Sequence, residues 1–131
     1  MTLLKSISLG ATAVAMTASL AFGASHMTKP VKVVQFGEEI YLADMEQMTL
    51  YTFDKDNAGV SNCTGGCAVK WPPLVVDAMM PLDDGYSLVA RADGSMQVAY
   101  HDQPLYTWFK DYKPGDMSGD GVKGVWHVAR P

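Results

Sequence analysis

The sequence LYTFDKD at residues 50–56 returns as LYTWFKD at residues 105–111. The offset of 55 residues also carries Trp71 onto Trp126, a match that is independent of the two heptapeptides. Self-similarity at a fixed offset indicates a repeated structural unit. The chain is therefore predicted to contain two related halves, repeat 1 at residues 31–74 and repeat 2 at residues 86–131.

Short runs rich in aromatic and β-branched residues favour strands in both halves. These runs lie at residues 31–35, 39–42, 48–53, 87–91, 95–100, 105–109 and 125–129. The turn Asp93-Gly94 favours a hairpin, because glycine tolerates positive φ. One short helix or helical turn is expected at residues 62–70, with Ser61 or Asn62 as its N-cap. We predict an all-β single domain of about six to eight short antiparallel strands, in which both repeats share one core.

The first 24 residues are predicted to be a cleaved secretory signal peptide. Lys5 is followed by an uncharged stretch that reaches residue 28, and small residues cluster in AFGA at residues 21–24. This order of a basic start, an apolar stretch and small residues is typical of such peptides. The alternative is a transmembrane anchor, but Ser, Thr and Gly are frequent here for a permanent span. We expect residues 25–131 to be periplasmic or secreted, without stable membrane insertion.

Both repeats carry the pattern Tyr-x-aromatic-x-x-Asp, as Tyr51, Phe53 and Asp56 and as Tyr106, Trp108 and Asp111. Trp71 and Trp126 follow the two motifs, and CTGGCAVKWPPL occupies residues 63–74. These sequence features resemble those of the bacterial family of predicted secreted proteins and lipoproteins with a repeated Tyr-x-(Phe/Trp/Tyr)-x-x-Asp motif. The resemblance implies an exported envelope protein without assigned chemistry. Many relatives look like lipoproteins, whereas this chain has no cysteine near its predicted cleavage site.

The motif has a structural and a functional interpretation. In a strand, the tyrosine and the aromatic residue two positions later project from one face. In the structural interpretation they fill the core, the hydroxyl reaches a polar partner, and each motif fastens its strand to its own following loop. Asp56 and Asp111 would then accept backbone N–H bonds in those loops. In the functional interpretation the aromatic and aspartate side chains line twin ligand sites. The structural interpretation is favoured.

Cys63 and Cys67 are predicted to form a disulfide, because an oxidising compartment favours pairing and the two intervening glycines allow a tight loop. Two alternatives stay open. Soft thiolates and thioethers bind Cu(I), so a reduced pair could hold copper with the help of Met or His. A thiol–disulfide oxidoreductase is the weaker alternative, because no thioredoxin-like pattern surrounds the pair.

The composition narrows the function further. The 131 residues carry 10 Lys and Arg against 14 Asp and Glu, a net charge of −4. Nucleic-acid binders need a basic face, so we expect no nucleic-acid partner. No nucleophile elbow, dinucleotide fingerprint or phosphate loop is present in the sequence. We therefore expect a monomeric, non-catalytic binding or structural module without a cofactor, whose partner is an envelope protein or a small ligand.

Overall fold

The structure, a computed structural model, describes Gly10 and residues 29–131. Apart from Gly10, the predicted signal peptide lies outside the described residues. Within them the chain forms eight strands: β1 Lys32–Phe36, β2 Glu39–Ala43, β3 Tyr51–Phe53, β4 Val75–Val76, β5 Tyr86–Ala90, β6 Met96–Tyr100, β7 Gln103–Pro104 and β8 Trp126–Val128. One helix, α1 Gly66–Lys70, and one 3₁₀ turn, Val122–Gly124, accompany them. All strand pairs are antiparallel, which confirms the predicted all-β fold class.

The described residues contain two hairpins, and the second of them has the turn that Asp93-Gly94 predicted. β1 pairs with β2, and β5 pairs with β6. The turn between β5 and β6 places Gly94 at φ +87, a left-handed conformation that glycine adopts without strain. β6 is the centre of its sheet, because β5 lies on one side while β4 and β7 pair on the other. This sheet therefore pairs β4, which directly follows repeat 1, with β6 of repeat 2.

The two repeats also interlock through a second sheet. β3 of repeat 1 pairs with β8 of repeat 2, with Phe53 opposite Trp126. Beside this pair, Tyr51 and Tyr106 exchange both backbone hydrogen bonds, at 2.8 and 3.0 Å. An antiparallel pair that exchanges both bonds has a local two-fold axis between its strands. The two motif tyrosines therefore lie about an approximate symmetry axis of the molecule.

Two clusters of buried side chains form the core, and each draws on both repeats. The aromatic core consists of Tyr41, Ala43, Tyr51, Cys63, Trp71, Tyr106, Trp126 and Val128. The aliphatic core consists of Leu42, Leu50, Val98, Leu105 and Ala129. Successive side chains of a strand point to opposite faces, so β2 supplies Tyr41 to one cluster and Leu42 to the other. Neither repeat could bury its apolar face without the other.

The strand predicted at residues 105–109 does not form. Tyr106 makes isolated bridges to Tyr51 on one side and Pro73 on the other. The chain then turns, and the Asp111 N–H donates to the Trp108 carbonyl at 3.1 Å. The aromatic residues of this segment therefore do not form a strand. Tyr106 pairs at a single position, and the chain then forms the turn that contains Asp111.

The helix is shorter than predicted and lacks the predicted cap. It begins at Gly66, its N-cap is Gly65, and no side chain caps it. Asn62 instead donates its backbone N–H to the Asp56 carboxylate at 2.6 Å, and Ser61 is also used elsewhere. Glycines weaken a helix by about 1 kcal/mol each, so the extended segment prevails over a longer helix. Across the described residues, no helix has the length and apolar character that crossing a bilayer requires.

Candidate functional site

The motif tyrosines and aspartates pair across the two repeats. The Tyr51 hydroxyl donates to Asp111 Oδ2 at 2.5 Å, and the Tyr106 hydroxyl donates to Asp56 Oδ2 at 2.7 Å. The local two-fold axis explains the exchange, because each tyrosine side chain runs across the axis towards the other repeat. The prediction that each motif fastens its strand to its own following loop is therefore wrong for the tyrosines.

Each motif aspartate does hold its own loop with its second oxygen. Asp111 Oδ1 accepts the Ser118 N–H at 3.0 Å and the Ser118 hydroxyl at 2.7 Å. Asp56 Oδ1 accepts the Asn62 N–H in the equivalent way. Each carboxylate thus bridges the loop of its own repeat and the tyrosine of the other.

These four side chains leave little capacity for an outside ligand. Tyr51 and Tyr106 are 0% exposed. Burial, and secondarily the bond to a carboxylate, raises the pKa of both phenols. Burial also raises the pKa of Asp56, partly opposed by its bonds from Asn62 and Tyr106. Both tyrosine hydroxyls and both aspartate carboxylates are thus bonded to partners within the protein, which favours the structural interpretation of these four residues.

Arg91 extends this network on one side. Its Nη1 donates to the Ser61 hydroxyl at 2.9 Å and to Gln97 Oε1 at 2.8 Å. Its Nη2 donates to the Cys63 carbonyl at 2.8 Å, and Ser61 lies 2.6 Å from the Tyr106 hydroxyl. Sequence reasoning missed these residues, because only the buried Gln97 within an apolar strand gives any local signal. Arg91 connects the segment that contains the cysteines to the Tyr106 network.

The remaining motif aromatics form one continuous column, named here the aromatic stack. Phe53 lies on Trp126 with ring centroids 4.1 Å apart, and Trp126 lies on Trp71 at 3.7 Å. Trp71 in turn contacts Trp108 at 3.9 Å. The two motif tyrosines meet the two inner tryptophans edge-on, at 5.3 and 5.2 Å. Edge-to-face aromatic pairs at such distances each stabilise by about 0.5–1.5 kcal/mol beyond their buried area.

An open groove of about 350 Å³ runs along the aromatic stack. It is named here the stack groove. The stack groove is lined by Phe53, Lys55, Gly66, Cys67, Lys70, Trp71, Trp108, Val122, Lys123, Val125 and Trp126. No carboxylate is among these lining residues. The lining lysines belong to none of the ion pairs found in the described part of the chain.

The Cys63–Cys67 disulfide is formed, as predicted. Cys63 is fully buried, whereas Cys67 is half-buried and lines the stack groove. In the disulfide neither sulfur is a thiolate, so copper binding by this pair would first require its reduction. Among Gly10 and residues 29–131, no group of three or more His, Cys, Asp or Glu side chains is arranged to hold a metal ion.

The motif residues therefore separate into two sets. The tyrosines and aspartates form the buried exchange, and Phe53, Trp71, Trp108 and Trp126 line the stack groove. Sequence reasoning missed the three lysines of the groove, because a lone surface lysine carries no signal. The one available signal is Lys55, which stands inside the first motif and corresponds to Lys110 in the second.

The comparison with known proteins matches this two-part construction. A family model described as a secreted repeat of unknown function matches residues 41–75 and again residues 87–130. The two matches contain both motifs and both trailing tryptophans. No curated protein and no solved structure matches the chain significantly. The two matches together cover more than half of the chain, which therefore belongs to the family of secreted repeats of unknown function.

Proposed function

We propose that the protein is a non-catalytic binding module of the cell envelope, periplasmic or secreted, and that the stack groove is its ligand site. The observation that carries the proposal is the convergence of four stacked aromatic rings from both repeats on one open concave surface. Concave surfaces lined by aromatic residues with a few polar groups are typical of small-molecule sites. The volume of the groove suits a small organic ligand.

The groove is built on a rigid support. The pairing of β3 with β8 and the two tyrosine–aspartate bonds hold together the two repeats that supply the stack. The disulfide holds the segment that leads into α1, on the groove side. A preformed site loses little conformational entropy when the ligand binds, which favours affinity.

The lining residues favour binding over catalysis. The groove is lined by no His, Asp or Glu side chain, so its three lysines have no acidic or imidazole partner for acid–base catalysis among the lining residues. The only sulfur along it belongs to a disulfide. Export is supported by the description of the family as secreted and by the predicted signal peptide.

Tryptophan fluorescence tests the proposal directly, since all three tryptophans of the chain belong to the aromatic stack. A fragment library of aromatic and aliphatic small molecules is titrated against the native protein. At least one compound class should give a saturable change in emission. Trp108→Leu should weaken that binding, because Trp108 supplies a half-buried ring to the groove.

Tyr112→Ala serves as the matched control, because Tyr112 is a strongly exposed aromatic residue outside the groove lining. Binding should survive this substitution. The proposal would be overturned if no class bound saturably. It would equally be overturned if a folded Trp108→Leu variant bound as well as the native protein.

A further inference from the structure

We propose that the ligand of the stack groove is an amphipathic organic anion, bound at its charged end by indole N–H groups and lysines. The inference rests on the proposed function, since it assigns a chemical class to the same groove. Three independent features of the groove carry it: its charge, its unused donors and the orientation of its rings.

The charge of the groove opposes that of the chain. The protein has a net charge of −4, yet the groove is lined by three exposed lysines and no carboxylate, namely Lys55, Lys70 and Lys123. None of the three is neutralised by an ion pair with a described residue. Attraction between exposed charges acts over a Debye length of about 8–10 Å at physiological salt, which is comparable to the dimensions of a small groove. The lining of the groove is therefore basic, whereas Asp54 and Asp56, which flank Lys55 in the chain, line a neighbouring pocket.

The tryptophans add donors that the protein does not use. The indole N–H groups of Trp71, Trp108 and Trp126 meet no acceptor among the described residues, and no buried polar side-chain atom there lacks a partner. These N–H groups must therefore reach solvent. Trp71 is only 4% and Trp126 only 3% exposed, and both residues line the stack groove. An indole N–H donates and cannot accept, which calls for an oxygen acceptor on the ligand.

The orientation of the rings disfavours a cation. Trp71 and Trp126 are the inner members of the stack, so both faces of each ring are covered and only edges meet the groove. The edge of an aromatic ring is the positive part of its quadrupole, whereas a cation needs the face. The half-buried outer rings and the side chains of Val122 and Val125 supply apolar contact for the body of the ligand. The ligand is thus a carboxylate, sulfonate or phosphate attached to an apolar group.

Nuclear magnetic resonance detects ligand binding at this site through the signals of the indole N–H groups. The ¹H–¹⁵N spectrum of the labelled protein should contain three indole cross-peaks, all from the aromatic stack. The probes are 2-naphthoate, the neutral 2-naphthalenemethanol and the cationic 2-naphthylmethylammonium, which share one apolar body. Naphthoate should shift the indole peaks and bind about tenfold more tightly than the alcohol, because charge-assisted hydrogen bonds are the stronger class. Added salt should weaken its binding.

Two triple variants separate the groove from overall charge. Replacing the three groove lysines with Gln should reduce naphthoate affinity about tenfold or more. The matched control removes the same total charge at exposed lysines outside the groove: Lys29→Gln, Lys32→Gln and Lys113→Gln. This control should bind naphthoate nearly as well as the native protein.

The outcomes distinguish the inference from the function on which it rests. Equal affinity for naphthoate and the alcohol, with the indole peaks shifting for both, would overturn the anion inference and leave the stack groove as a ligand site. Equal loss of affinity in both triple variants would also overturn it. Unmoved indole peaks with every probe would overturn the inference and the proposed function together.

Discussion

At the scale of single residues, the tyrosine–aspartate exchange is what makes the motif useful to the fold. Burying a phenol without a hydrogen-bond acceptor destabilises the folded state by several kcal/mol, and burying an unpaired carboxylate destabilises it more. The exchange satisfies both groups at once, and the second carboxylate oxygen holds a loop. Because the partners belong to different repeats, each bond also fixes one half of the molecule against the other.

A double-mutant cycle tests the cross-repeat pairing. Tyr51→Phe combined with Asp111→Ala should show a coupling energy of about 1–3 kcal/mol in urea unfolding, since the two side chains share a hydrogen bond. Tyr51→Phe combined with Asp56→Ala is the matched comparison within one motif, and these substitutions should be nearly additive. A larger coupling within the motif than across the repeats would contradict the exchange.

The buried phenols predict a loss of stability at alkaline pH. Their folded-state pKa is raised above the unfolded value of about 10, so the native state keeps protons that the unfolded state loses. The stabilising contribution is complete below about pH 10 and falls above it by about 1.4 kcal/mol per pH unit for each phenol. Urea unfolding at increasing pH measures this slope, and Tyr106→Phe should reduce it by one phenol. Ionisation of Tyr51 and Tyr106 near pH 10 in the folded protein would contradict this explanation of the alkaline loss of stability.

At the scale of elements, local signals predicted the hairpins but not the segment that builds the site. The turn at Asp93-Gly94 requires a positive φ, which Gly94 adopts, and the glycine that allows it is visible in the sequence. The start of α1 and the end of the ladder at Tyr106 depend on contacts with distant residues. The partner of Tyr51 is 60 positions away, so no local pattern identifies it. The aromatic members of the groove were predictable as motif residues, whereas its lysines became visible only in three dimensions.

A glycine in the loop before the 3₁₀ turn tests how tightly the stack is packed. A Cβ at Gly119 would lie 2.8 Å from the Trp71 ring and 2.9 Å from the Trp108 ring. Gly119→Ala should therefore destabilise the protein by about 1–3 kcal/mol and change the near-ultraviolet circular dichroism of the tryptophans.

Gly66→Ala is the control for this substitution, since a Cβ at Gly66 in α1 would contact nothing within 4 Å. Alanine stabilises a helix relative to glycine by up to about 1 kcal/mol, so this variant should be neutral or more stable. A Gly119→Ala variant as stable as Gly66→Ala would show that the stack can shift at little cost.

At the scale of the whole molecule, the two repeats share their core and pair their strands with each other. β3 pairs with β8 and with Tyr106, both of the other repeat, and both core clusters combine side chains from both halves. A half-molecule would expose its apolar face and leave its motif tyrosine and aspartate unpaired, which opposes folding.

Separated halves should therefore be unfolded alone and folded together. Peptides of residues 29–80 and 81–131 should each lack the near-ultraviolet circular dichroism of a packed aromatic stack. An equimolar mixture should recover part of that signal, because β3 and β8 can still pair between chains. A native-like signal from either half alone would contradict the interlocked arrangement.

The axis between Tyr51 and Tyr106 also bears on how such a chain could arise. A polypeptide with one repeat would contain both the donor and the acceptor of the exchange, and it could satisfy them by pairing with an identical copy of itself. Gene duplication and fusion would then turn a homodimer into a monomer with an unchanged core. Only after fusion can the two halves evolve separately, as the disulfide illustrates: the offset of 55 carries Cys63 and Cys67 onto Ser118 and Val122.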